Sequence, residues 1–149
     1  WEELKKQEKE TALQSLLDGI PPSLPALARS QKIQTRVSQI GFDWPEIKGV
    51  YEKLAEELEE LEGANSTFAR RAELGDLLFV IVNLARWLDV DAESALREAN
   101  LRFSRRFRLV EQIAQERDLD LQKLDLAEID KLWDEAKEKL AKPGADAKV

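Results

Sequence analysis

Residues 71–88 read RAELGDLLFVIVNLARWL. From Leu77 onward the run is apolar almost all the way round a helix, and such a helix is normally buried in a core or against a partner. Yet Glu73 and Asp76 lead directly into it, three residues apart and therefore on one helical face, with Gly75 between them. A buried carboxylate is costly unless it is paired or binds a metal. Two of them at the entrance of an apolar helix call for a partner elsewhere in the chain.

Ala69, Glu73, Asp76, Val80, Asn83 and Trp87 recur at steps of three and four, so both acids share a face with large apolar residues and an amide. The preceding helical segment, read from Asp43-Trp44-Pro45 to Glu62, carries the stripe Ile47, Val50, Leu54, Leu58 and Leu61. Glu57 occupies a place in that stripe and Glu60 shares its side, while Glu56 and Glu59 fall further round. Taken alone, EKLAEELEELEG reads as a solvated acidic face. Facing Glu73 and Asp76 across two helices, however, Glu57 and Glu60 would repel them strongly, and only a cation makes the arrangement stable. The metal reading prevails for these four residues. Oxygen ligands without imidazole or thiolate suit Mg²⁺, with Mn²⁺ as the alternative, and carboxylate-bound Mg²⁺ recruits substrate phosphates. Gly75 costs a helix roughly 1 kcal/mol relative to Ala, and a close approach of the facing helix is expected to offset it.

The chain has 149 residues, 36% charged and 43% hydrophobic, the composition of one helical, charge-covered globular domain. Its net charge of −7 argues against a nucleic-acid polymer as partner, which needs a basic face. It leaves room for a small phosphorylated ligand, because a metal and local arginines reverse the field at one site. With no Cys and no His, disulfides, structural zinc, thiol nucleophiles and His-based triads are excluded. No run reaches the ~18 apolar residues of a membrane span, and no secretory signal is visible. A cytoplasmic setting without a membrane is expected. The chain lacks Met and opens on Trp1 inside a charged helical pattern, so it is read as an excised piece.

Five helical segments emerge and no alternating run long enough for a strand. Residues 1–18 read as a connector helix, broken by Gly19-Ile20-Pro21-Pro22, and 141–149 as a flexible tail around the main domain at 19–140. Pro25 is expected in the first turn of a helix ending near Ile40 at Gly41. Ser66 or Thr67 caps the next-but-one helix and Asp91 the one after it. Asp125-Leu126-Ala127-Glu128 resembles a capping box and opens the last. Short connections favour antiparallel neighbours, hence an all-α bundle. In the penultimate helix Leu96, Ala99, Phe103, Phe107 and Val110 form the apolar face, with Arg102 and Arg106 along one edge. Those two arginines read equally as a phosphate clamp or as basic surface. In the last helix Trp133 lies in the stripe Leu126, Ile129, Trp133, Ala136 and Leu140, and reads first as core, with Lys137 one turn on as solvated.

Glu56-Glu57-Leu58-Glu59-Glu60 followed by Glu73-Leu74-Gly75-Asp76 resembles the all-α nucleoside triphosphate pyrophosphohydrolases. Within them the chain is similar to the C-terminal domain of the MazG family over nearly its whole length. The segments IPPSLPALARSQKIQ, GFDW, GDLLFVIVNLARWL, ALREANLRFSRRF and the late Trp133 carry that likeness. The resemblance implies a helical bundle that dimerises, completing a four-helix core between subunits, and hydrolysis of nucleoside triphosphates between the α and β phosphates. It implies Glu57, Glu60, Glu73 and Asp76 as Mg²⁺ ligands, and Glu56 as the residue that orients or deprotonates the attacking water beside Glu57. Lys53, Arg102 and Arg106 would contact the triphosphate, and Trp133 and Lys137 would lie near the nucleotide. It also suggests an upstream MazG-like domain. Where the family carries a lysine shortly before the second acidic pair, this chain has Ala69-Arg70-Arg71-Ala72. Two rival readings stay open: a relative restricted to dUTP or phosphoribosyl-ATP, and a non-catalytic helical dimerisation domain.

Overall fold

The computed structural model describes residues 1–4 and 15–142. The chain is all-α. Among the described residues the long helices are α1 (Ala26–Ser38), α2 (Ile47–Gly63), α3 (Thr67–Trp87), α4 (Ala92–Glu116) and α5 (Leu126–Ala141). Most of the connector expected at 1–18 and the tail beyond 142 lie outside the described residues. The chain divides into two compact units, 1–95 and 96–149, and passes from one to the other within α4.

The helix ends follow from local chemistry. Ser66 caps α3 by accepting the Ala69 N–H at 3.1 Å, and Asp91 precedes α4 and accepts the Ser94 N–H at 2.8 Å. Asp125 and Glu128 form the full capping box of α5, each side chain accepting the other's backbone N–H. Three helices stop in the same manner, on a residue of positive φ: Gly41 after α1, Asp89 after α3 and Asp118 after α4. After α3 and α4 the next N–H, from Val90 or Leu119, reaches back to Ala85 or Ala114 at 2.9 Å. These are Schellman closures. Two of them use aspartate, which tolerates the left-handed conformation better than most residues.

Two expected boundaries move. Pro25 stands just before α1 rather than inside its first turn. Helix α2 starts at Ile47, not at Asp43-Trp44-Pro45, because those residues make tertiary contacts instead. Asp43 Oδ1 accepts from its neighbour Trp44 N and also from Arg86 and Trp87 of α3. Trp44 lies so close to α2 that a Cβ at Gly49 would come 2.8 Å from its ring. Glycine is required there by proximity.

In the first unit α3 packs against both α2 and α1, with Ile20, Val50, Val80 and Val82 buried. Gln31 fastens α1 to the far end of α3: its amide donates to Val90 O at 2.9 Å and accepts from Ala92 N at 2.8 Å. In the second unit Val110, Ile113, Ala114, Leu132 and Ala136 form a continuous core, with Leu109, Leu121, Leu124 and Trp133 against it. The stripe expected on α5 is therefore rotated toward Leu132, and Leu126 stands 74% exposed. Leu96, Phe103 and Phe107 on α4, expected as its apolar face, are also exposed, whereas Val110 is fully buried.

Ile113→Ala removes a fully enclosed side chain and should cost roughly 2–5 kcal/mol in urea unfolding. Leu126→Ala should change stability little, although both positions are apolar in the sequence.

Candidate functional site

The connection between α2 and α3 is three residues long, 64–66, so the two helices form a hairpin. Glu57 and Glu73 each lie eight residues from Asn65 and meet across it. Carboxylate oxygens of Glu57, Glu73 and Asp76 all fall within 4.8 Å of one another. So do those of Glu56, Glu57 and Glu60. Glu57 belongs to both groups and joins them.

Burial separates these acids. Glu57 is only 4% exposed, more buried than its apolar neighbour Leu58 at 49%. Glu73 is half-buried, and Glu56, Glu60 and Asp76 are exposed. The Lys53 ammonium bonds Glu57 Oε1 and Glu56 Oε1, both at 2.7 Å. Hydrogen bonds to Glu56 and then Glu57 hold that ammonium well above the ordinary lysine range. The second Glu57 oxygen, Oε2, is buried and has no hydrogen-bond partner. Partial desolvation, followed by the charge of Glu57, raises the Glu60 carboxyl above its usual value; Lys53 opposes this, and Glu73 and Glu56 add to it. The donor set is oxygen throughout, and a buried carboxylate oxygen is left over. That suits a hard divalent cation.

Gly75 does not serve the close approach expected of it: a Cβ there would meet nothing within 4 Å. Its side of α3 is open, and Leu74, Leu78 and Ile81 are about half exposed there. The helix that reads as apolar all round is thus covered on one side only by its own chain.

The remaining candidates lie in the second unit. Arg102 and Arg106 are on α4, and Trp133 and Lys137 on α5. Arg106 stacks its guanidinium 5.9 Å from the Trp133 ring centre, and Phe103 lies 5.1 Å from the same ring. Arg102 and Lys137 are exposed.

Beside the carboxylates, the first unit contains a polar network absent from the sequence reading. Arg86 donates to Asn83 Oδ1 at 3.0 and 2.8 Å and pairs with Asp43. Burial pushes the Asp43 carboxyl up, but the hydrogen bond and charge of Arg86, with those from Trp44 N–H and Trp87, outweigh it and leave its pKa lowered. Gln34 on α1 is 4% exposed and donates from Nε2 to Phe79 O at 2.7 Å. Its signal in the sequence is an amide within the spacing Leu27, Gln31, Gln34, Val37, where an apolar residue would be ordinary.

The site is a hairpin of helices with clustered acids at its seam, in an all-α chain, whose carboxylates could hold a metal ion. A Thermotoga maritima protein named nucleoside triphosphate pyrophosphohydrolase/pyrophosphatase MazG is 45% identical over 137 residues, 92% of this chain and 54% of its own length. The nucleoside triphosphate pyrophosphohydrolase of Escherichia coli K12 is 45% identical over 143 residues, with the same two shares. The uncharacterized protein YabN of Bacillus subtilis is 42% identical over 142 residues, 93% of this chain and 29% of that one. No family model matches the chain. The chain is thus similar, over 92% of its length, to proteins named MazG or nucleoside triphosphate pyrophosphohydrolase, and it spans about half the length of those first two relatives.

Because the Asp43 pKa lies below its ordinary value of 3.8, its contribution is complete above that value and is lost as pH falls through the lowered one. Asp43→Asn should therefore be less stable than the parent at neutral pH, with the gap closing in acid. Urea unfolding at several pH values measures it; a gap independent of pH would contradict the assignment.

Proposed function

We propose that this domain hydrolyses nucleoside triphosphates between the α and β phosphates, with Mg²⁺, to the monophosphate and pyrophosphate. The observation that carries the reading is the buried, unpartnered Glu57 Oε2 where two carboxylate groups join, in a chain 45% identical to proteins named for that activity. Glu57, Glu60, Glu73 and Asp76 would hold the cation, whose charge neutralises phosphate oxygens and acidifies a water when bound.

The chain's own residues divide the remaining work. Glu56 is exposed beside Glu57 and held by Lys53, a position suited to orienting the attacking water or taking its proton. Lys53 has three N–H donors; two reach carboxylates, and it can turn a donor to a phosphate oxygen. Arg102, Arg106, Trp133 and Lys137 are proposed as nucleotide contacts on the strength of the family resemblance. Among the described residues no helix is long and apolar enough to cross a membrane.

Asp76→Asn should abolish pyrophosphate release from all eight common NTPs and dNTPs while keeping the fold, and should be no less stable without metal, since it removes one member of a repelling cluster. In ¹⁸O-labelled water the parent should place label in the monophosphate. Label in pyrophosphate, or near-normal turnover by the variant at saturating Mg²⁺, would contradict the reading. Release from dUTP or phosphoribosyl-ATP alone would select a restricted substrate.

The domain is also proposed to act as a homodimer. Leu74, Leu78, Ile81 and Leu88 leave one side of α3 apolar and about half exposed, and contiguous apolar patches are rare on monomers. Sedimentation at micromolar concentration should give the mass of two chains; a stable monomer there would exclude it.

A further inference from the structure

One ammonium ties two of the acids together. Lys53 Nζ lies 2.7 Å from Glu57 Oε1 and 2.7 Å from Glu56 Oε1, a reach that the three- and four-residue helical spacing allows. Among the described residues no other cationic side chain pairs with Glu56, Glu57, Glu60, Glu73 or Asp76. Glu57 belongs to both carboxylate groups, so this single charge stands where they join. The Glu57 side chain is 6% exposed and that of Lys53 31%. Charges sheltered to that degree are screened by salt less than surface ones.

The arrangement sets the ammonium against a divalent ion. An ion held through either Glu57 oxygen would stand within a few ångströms of Nζ, and like charges so placed repel. If Lys53 stayed, the ion would meet that repulsion; if it left, two charge-assisted hydrogen bonds would be lost. Either way a free ion is held less tightly than the carboxylates alone would hold it. Room for leaving exists: Lys53 also lines a cavity of about 490 Å³, toward which its flexible four-carbon stem can swing. A polyphosphate changes the balance. Its oxygens offer the ammonium substitutes for the two glutamates, and its negative charge attracts the ion.

We infer that Lys53 is a latch on the carboxylate cluster: its ammonium holds down the affinity for a free divalent ion and engages Glu56 until a polyphosphate draws it away, so that ion and polyphosphate bind cooperatively. The inference rests on the pyrophosphohydrolase reading and deepens it. Lys53 acts here through Glu56 and Glu57, as a positioning residue. The order it imposes keeps Glu56 paired, and so away from a water, when no substrate is present.

Calorimetry tests it with two probes, Mn²⁺ alone and the preformed complex of Mn²⁺ with inorganic tripolyphosphate. Lys53→Met removes the charge and keeps most of the stem. It should bind Mn²⁺ alone about tenfold more tightly than the parent, and the preformed complex no more tightly. A loss of structure would weaken Mn²⁺ binding, so the sign of the change separates the latch from a merely structural role. Lys53→Arg keeps the charge and should stay close to the parent with Mn²⁺ alone. Lys53→Gln serves if Lys53→Met fails to fold by circular dichroism. Mn²⁺ binding by the uncharged variant equal to or weaker than the parent's, the same gain in Lys53→Arg, or an equal gain for the preformed complex would overturn the latch alone. Failure of the parent to bind Mn²⁺ in either form would overturn the pyrophosphohydrolase reading together with it.

Discussion

Glu57 carries its carboxylate into the seam of the α2–α3 hairpin with one oxygen held by Lys53 and the other, Oε2, unpartnered. An uncompensated charge in that position would normally give way to an apolar residue, like the rest of the stripe. Its retention is understandable only if something else in the seam needs it. Glu73 and Asp76 of α3 supply the reason, because their oxygens and that of Glu57 converge within 4.8 Å. A lysine ammonium partly offsets the repulsion, as its raised pKa records. The hairpin is thus built with a deficit of positive charge at its centre, which a bound cation would relieve.

The scaffold around this seam is fixed by bonds that carry no net charge or that neutralise their own. Gln31 fastens α1 to the α3–α4 corner through backbone groups. The Asp43–Arg86 pair secures the segment before α2 to the end of α3, with Trp44 packed on Gly49 beside it. These contacts set the walls of the cavity next to Lys53. A site intended for a charged ligand profits from such walls, since they stay in place whether the carboxylates are compensated or not.

The fold class was legible from periodicity, caps and short connections. Ser66, Asp91 and the Asp125–Glu128 box mark helix starts by side chains that satisfy free N–H groups locally, so sequence alone displays them. Helix α2 was misplaced at its start because Asp43 is claimed by Arg86, far along the chain, and Trp44 folds back onto Gly49 of α2 itself. The acidic cluster was visible as charges interrupting an apolar stripe on two consecutive segments. Gln34 left only the faint signal of an amide in an apolar spacing, and it gains its meaning from Phe79 across the fold. Leu126 and Phe103 were placed in apolar stripes by their spacing, yet both are exposed. Spacing reports which side is apolar, not whether the same chain covers it.

The symmetry of the hairpin about Asn65 bears on how such a sequence can change in length. Glu57 and Glu73 face one another because equal numbers of residues separate each from the turn. One residue inserted within α2 after Glu57 would rotate that carboxylate by about 100° relative to α3 and point it away from Glu73. The same insertion placed within 64–66 would leave both helices in phase and merely enlarge the loop, at small cost in closure entropy. Length variation compatible with the site is therefore confined to the three-residue connection and the outer ends of the two helices. The helical arms between Glu57 and Gly63, and between Thr67 and Asp76, act as a gauge of fixed length.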